Sequence, residues 1–225
     1  LARSLSKNLL DKHAFPSKFT LESHPITMKT IHRILLTAAF PLCTAQAAEI
    51  GQPAPDFTAR NLAGESVSLA DFKGRTVVLE WVNFACPFVK KHYVSGNFPE
   101  LQQRYTAANV VWLTICSSAE GKQGHHEPAA MVEKAAKQGN KATHFLMDAD
   151  GKVGKAYQAK VTPHMFIIDR DGKLAYDGAV DSKPSTDPAD VATAEKLFVN
   201  ALDAVIAGKA AANAKNKPYG CGVKY

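Results

Sequence analysis

Apolar residues fall into short, nearly unbroken runs separated by stretches with wider spacing. Val77–Asn83 (VVLEWVN) and Val110–Cys116 (VVWLTIC) are β-branched and almost continuously apolar. Runs of this kind suit strands buried on both faces, as in parallel sheets. His144–Asp148 (HFLMD) reads as another short strand. Met165–Asp169 and Lys173–Tyr176 flank Arg170-Asp171-Gly172, a hairpin signal. Between the strands the spacing predicts helices over Pro87–Tyr105, interrupted at Ser95-Gly96-Asn97, and over Pro128–Gln138. A long helix is predicted from Asp187, with Asp187 as cap and Pro188 at the first position. It would place Val191, Ala194, Phe198, Ala201, Leu202 and Val205 on one stripe. Alternating β and α units argue for one α/β domain over residues 48–208. The tail, residues 209–225, begins as an Ala/Lys/Asn-rich, linker-like stretch to Lys217 and then changes character at Pro218-Tyr219-Gly220-Cys221.

The first 47 residues read differently. From Met28 the order is a basic MKTIHR, an apolar ILLTAAFPL and a small-residue end, Ala45-Gln46-Ala47. That is the layout of a removable export signal over residues 28–47. Its apolar part is far shorter than the roughly 20 residues needed to span a bilayer, so no stable membrane insertion is expected. Residues 1–27 carry no clear apolar period and read as an upstream extension. The expected location is periplasmic or secreted.

Charge changes the picture only after it is located. The chain of 225 residues has a formal charge of +6, but residues 1–47 alone hold six basic residues and two acids. Only +2 is left for the rest, without the clustered cationic charge that a nucleic-acid surface needs. Of 4 cysteines, Cys43 goes with the signal, leaving Cys86, Cys116 and Cys221. Three are too few for a disulfide scaffold and suit a redox site with a spare thiol.

Cys86 ends a buried strand and precedes Pro87, the expected first residue of a helix. A thiolate there faces unpaired N–H groups and the positive end of the helix dipole, which lower its pKa. Lys90, Lys91 and His92 are expected to push the same way. An activated thiolate is the attacking species in both disulfide exchange and peroxide reduction. Cys116 reads as a packed free thiol.

Gly51-Gln52-Pro53-Ala54-Pro55-Asp56-Phe57, Val67-Ser68-Leu69 and Phe72-Lys73-Gly74 resemble the opening of the redoxin branch of the thioredoxin superfamily. That branch includes peroxiredoxins of the alkyl hydroperoxide reductase/thiol-specific antioxidant group. Val161-Thr162-Pro163 resembles the family's cis-proline loop, and Cys86–Tyr93 together with Pro218–Tyr225 resemble an exported bacterial subgroup. The resemblance implies an α/β, thioredoxin-like fold: a mixed central β-sheet flanked by helices, with an N-terminal β extension. It implies a cleft lined by Asn83, Pro87, Thr162, Pro163 and His164 around Cys86. It also implies that Cys221, on its Gly-flanked segment, folds back as a resolving thiol, and that the partners are a peroxide or protein disulfide and a thiol electron donor. Glu80, six residues before Cys86, matches the buried acid of such oxidoreductases, as a proton relay or as a hydrogen-bonded structural acid.

Several positions depart from the pattern. Val89 stands where thioredoxins carry their second Cys-x-x-Cys cysteine, so no local resolving cysteine exists. Asn83 and Leu79 stand where typical peroxiredoxins carry Thr and Pro. Two alternatives stay open: a non-catalytic binding module stapled by Cys86–Cys221, and copper delivery through Cys86, His92 and His164. No haem, flavin or nicotinamide motif is visible.

Overall fold

The computed structural model describes residues 47–225. The expected export signal, Cys43 and the upstream extension lie outside the described residues, apart from Ala47. The first regular elements are a hairpin of β1 (Thr58–Asn61) and β2 (Ser66–Ser68), followed by a 3-10 turn at Leu69–Phe72. Two strands read from the apolar runs follow, β3 (Val77–Trp81) and β4 (Val111–Cys116), every residue of them buried. They pair in parallel, with both faces of each covered. Between them lie α1 (Pro87–Val94) and α2 (Asn97–Ala107). The break expected at Ser95-Gly96-Asn97 is there, with Gly96 at φ +77, a left-handed conformation that favours glycine.

The second half contributes α3 (Pro128–Lys137), β5 (His144–Met147), α4 (Lys152–Ala156), β6 (Val161–Thr162), β7 (His164–Ile168) and β8 (Leu174–Gly178). The main sheet has seven strands in the order β2-β1-β5-β4-β3-β7-β8. Its mixed character follows from β3–β4–β5 being parallel while β7 and β8 run antiparallel beside β3. This is the mixed sheet, helix-flanked and extended by the β1–β2 hairpin, that the resemblance implied. Two apolar cores lie on it, one built around Val78, Val82, Trp112 and Phe198, the other around Leu79, Trp81, Ile115 and Phe166. Alternate residues of β3 feed opposite cores, the period of two expected of a strand.

The long helix predicted from Asp187 is not formed. Asp187 does cap, accepting from the Ala189 N–H at 2.9 Å, but onto a short 3-10 turn at Pro188–Ala192. The chain then leaves helical geometry because Glu195 pairs with Ser182: Ser182 N–H donates to the Glu195 carbonyl, and Glu195 N–H to Ser182 Oγ. The α-helix proper is α5 (Leu197–Ile206), which buries Phe198, Ala201, Leu202 and Val205.

The tail is not a free linker either. Its backbone pairs with β8: Asp177 N–H donates to the Ala214 carbonyl and Asn216 N–H to the Asp177 carbonyl. Asn216 Oδ1 accepts from Ala179 N–H at 2.8 Å. A last strand, β9 (Cys221–Gly222), pairs antiparallel with β6 in a separate two-stranded sheet, placing Cys221 opposite Thr162.

Candidate active site

The site forms where β3, α1, the loop before β7 and the tail meet. Cys86 is the N-cap of α1 and Pro87 its first residue. Proline suits that position because its missing N–H would be unpaired there anyway. The Thr162–Pro163 peptide is cis, and Cys86 Sγ lies 3.1 Å from the Thr162 carbonyl oxygen. Register then brings in the tail, since Cys221 faces Thr162 across the β6–β9 pair. Gly220 is required at that crossing. A Cβ on it would lie 2.0 Å from the Thr162 carbonyl oxygen, and its φ is +142. Among the described residues, Cys86, Cys116 and Cys221 are unbridged.

Cys86 is 1% exposed. Burial alone would raise its thiol. Hydrogen bonds outweigh burial: the Cys221 thiol, the Val89 N–H at the start of the helix, the Cys221 N–H and the Thr162 side chain bring Cys86 below its ordinary value. Cys221 moves the opposite way, pushed up to about 11 first by burial and then by its neighbour Cys86. Of the two thiols Cys86 is therefore the one that ionises first, with Cys221 as its hydrogen-bond donor. Cys116 is buried, lies 3.6 Å by its sulfur from the Gly124 carbonyl, and is raised by burial.

The contribution to Cys86 expected of Lys90, Lys91 and His92 is absent; Lys90 is exposed, which leaves Lys91 and His92. Both side chains are buried and engaged elsewhere. Lys91 Nζ donates to Asp181 Oδ2 at 3.1 Å and to the Lys183 carbonyl at 2.8 Å. His92 contacts Asn97 through Nδ1 at 2.9 Å and the Tyr219 hydroxyl through Nε2 at 3.3 Å. His164 also turns from the cleft: its Nε2 meets Asp177 Oδ1 at 2.7 Å, and its Nδ1 accepts from the Lys160 N–H at 3.3 Å. The copper alternative thus finds its two histidines occupied. Among the described residues no cluster of three His, Cys, Asp or Glu is placed to hold a metal.

Asn83 shapes the approach to Cys86. Its Oδ1 accepts from the Ala85 N–H at 2.9 Å, an Asx turn, and its Nδ2 donates to the Gln123 carbonyl at 3.0 Å. Its main-chain carbonyl accepts from the Cys86 N–H. Glu80 is fully buried on β3. Oε1 accepts from the Tyr93 hydroxyl at 2.9 Å, and Oε2 accepts from Trp112 Nε1 at 2.6 Å, Gln102 Nε2 at 2.8 Å and Thr114 Oγ1 at 3.2 Å. Burial raises its pKa against those four donors. None of its hydrogen bonds leads to Cys86; they tie α1, α2 and β4 together. The cluster that sequence reasoning missed is Lys91–Asp181–Tyr219. Its one visible signal was a lysine followed by histidine at positions of α1 that the helical period turns inward.

Comparison with known proteins agrees with this fold. A family model described as Redoxin matches residues 49–197. The chain is 29% identical over 126 residues to the thiol-disulfide oxidoreductase ResA of Bacillus thuringiensis, covering 56% of this chain and 67% of that protein. It is 26% identical over 156 residues to the ResA of Geobacillus thermodenitrificans, covering 66% and 84%. Among solved structures, an uncharacterized conserved protein of Geobacillus kaustophilus superposes with a TM-score of 0.65 at 30% identity, covering 79% of this chain and 92% of that one. A hypothetical protein of Sinorhizobium meliloti superposes at 0.66 with 24% identity, covering 80% and 96%.

Two expectations follow from the buried acid and the buried histidine. Replacing Glu80 with Gln should leave the rate at which iodoacetamide labels Cys86 near pH 7 within about twofold while lowering the urea midpoint, because a charge-accepting hub is lost; a tenfold slower labelling would instead mark a relay. Burial depresses His92 to about 4 in the folded protein, against an ordinary 6.5. The unfolded chain therefore binds the extra proton first, and stability falls as pH drops from 6.5 through 4, by at most about 3 kcal/mol. Urea unfolding of His92→Gln against the parent across that window should show a shallower loss in the variant.

Proposed function

The chain belongs to the Redoxin family of the thioredoxin-like fold, and from that premise we propose that it is an exported thiol–disulfide oxidoreductase whose working pair is Cys86 and Cys221. The Cys86 thiolate attacks one sulfur of a disulfide R–S–S–R′ in another polypeptide. A Cys86–S–S–R bond forms and R′–S⁻ leaves. Cys221 then attacks Cys86 Sγ, expelling R–S⁻, and its proton passes to a departing thiolate. The substrate gains two electrons, the protein holds a Cys86–Cys221 disulfide, and a thiol donor restores it.

The single observation that carries this reading is the pairing itself: a helix-capping cysteine lowered by hydrogen bonds, with a raised cysteine seated on it by the β6–β9 register. The electrostatics suit the order of events. Part of what holds Cys221 protonated is the charge on Cys86. That charge disappears when Cys86 enters the mixed disulfide, so the resolving thiol becomes easier to ionise when it is needed. The names of the ResA relatives, thiol-disulfide oxidoreductases, support a disulfide as substrate. A peroxide substrate finds less support, since the Asn83 amide, at the position of the peroxiredoxin threonine, is turned to Gln123. Export rests on the layout of residues 28–47; no described helix is long and apolar enough to cross a membrane.

Rapid mixing of the reduced protein, residues 48–225, with a cystine-bridged peptide tests the proposal. Wild type should reduce the peptide, Cys86→Ser should fall to the background rate, and Cys221→Ser should accumulate a mixed disulfide of Cys86 seen by mass spectrometry. Equal rates for wild type and Cys86→Ser would overturn it. Faster turnover of hydrogen peroxide than of the peptide would move the substrate class to peroxides.

A further inference from the structure

The buried ion pair beside the tail takes no part in the sulfur chemistry, yet the tail is built to meet it. Lys91 is 1% exposed, and Asp181 accepts from it, from the Lys183 N–H at 2.9 Å and from the Tyr219 hydroxyl. Lys91 Nζ lies 3.4 Å from the same hydroxyl, and His92 Nε2 lies 3.3 Å from it. The Tyr219 ring packs edge-on against Phe88 of α1, with centroids 5.8 Å apart. A buried Lys–Asp pair is costly unless its remaining hydrogen-bonding capacity is met, and one phenol from the tail serves both members.

Tyr219 precedes Cys221 by two residues, and two extended residues span about 7 Å. Fixing the phenol on α1 therefore fixes where Cys221 lies. The consequence for Cys86 is closure. At 1% exposure its sulfur has no open side, and an incoming disulfide must approach to roughly 3–3.5 Å to react. The tail gives up little of the core when it leaves: no residue from Ala211 to Tyr225 is fully buried, and of its apolar residues Ala211, Cys221 and Val223 are those that pack against the two cores. Water can replace the phenol at Asp181 when it does, since bridging water is nearly as good a partner as a direct one.

We propose that Tyr219 is the positioning residue of the resolving thiol: its hydroxyl, latched on the Lys91–Asp181 pair, holds Cys221 over Cys86, and its release admits a substrate disulfide to Cys86. The proposal rests on Cys86 and Cys221 being the working pair. It makes the tail a gate as well as the carrier of Cys221. A looser latch exposes Cys86 to outside reagents and at the same time lowers the local concentration of Cys221.

The test is iodoacetamide labelling of the reduced protein carrying Cys221→Ser, with and without Tyr219→Phe, read by peptide mass spectrometry. Phenylalanine keeps the ring on Phe88 and removes only the hydroxyl. Loss of a hydrogen bond to a charged group should raise the open population, and with it the labelling of Cys86, about tenfold. Cys116, on β4 and outside the hydrogen bonds of the latch, is the internal reference and should label at an unchanged rate. An unchanged Cys86 rate overturns the latch, and so does equal acceleration of both cysteines, which would mean general loosening. No Cys86–Cys221 bond can form in this background. The labelling result therefore stands or falls apart from the disulfide chemistry, whose own failure would show as a wild-type protein that never bridges the two cysteines.

Discussion

One buried thiol, that of Cys86, organises this molecule. A thiolate on Cys86 at 1% exposure is sustained only if donors surround it, and each donor comes from a different part of the chain. The Val89 N–H comes from the first turn of α1, the Thr162 side chain from the cis-proline loop, and the thiol and N–H of Cys221 from the tail. The parallel β3–β4 pair and the antiparallel β3–β7 pair bring the first two together. The third donor has to be delivered by a segment that starts at the far side of α5, and this explains why the tail is pinned along its length instead of hanging free. Gly220 is the tightest of those pins, because any side chain there would collide with the Thr162 carbonyl.

Two buried polar hubs lie on the elements around Cys86 and do different work. Glu80 gathers four donors from α1, α2 and β4, and stiffens the wall behind the helix that presents Cys86. The Lys91–Asp181 pair faces the other way, toward the tail, and is completed by Tyr219. A hub made wholly of core residues is hard to dismantle. One completed by a partly exposed tail residue is reversible, and reversibility is what a resolving thiol needs.

Much of this was legible in the residues themselves. The continuous apolar run VVLEWVN ending before Cys86-Pro87 places a cysteine at a strand–helix junction, and the resemblance of Val161-Thr162-Pro163 to a cis-proline loop implies the segment that faces it. What was hidden depended on contacts remote in sequence. Lys91 and His92 look near Cys86 along the chain, but five and six residues of helix carry them about 7–9 Å along the axis and to another face. Their partner Asp181 lies ninety positions on. Asp187-Pro188 did announce a helical start, but the pairing of Ser182 with Glu195 ended it, and no local pattern encodes that pairing. The stretch from Lys209 to Lys217 reads as linker because it docks through backbone groups and the Asn216 amide, none of which an apolar pattern reveals.

The claim at the centre is that Cys86 and Cys221 form one reversible redox couple. It is tested most directly by equilibrating residues 48–225 in glutathione buffers of graded ratio and mapping the disulfides by peptide mass spectrometry. The account predicts a Cys86–Cys221 link that appears and disappears with the buffer as a single two-electron transition, while Cys116 stays free. A chain that never forms this link, or one that keeps it at the most reducing ratio, would contradict it.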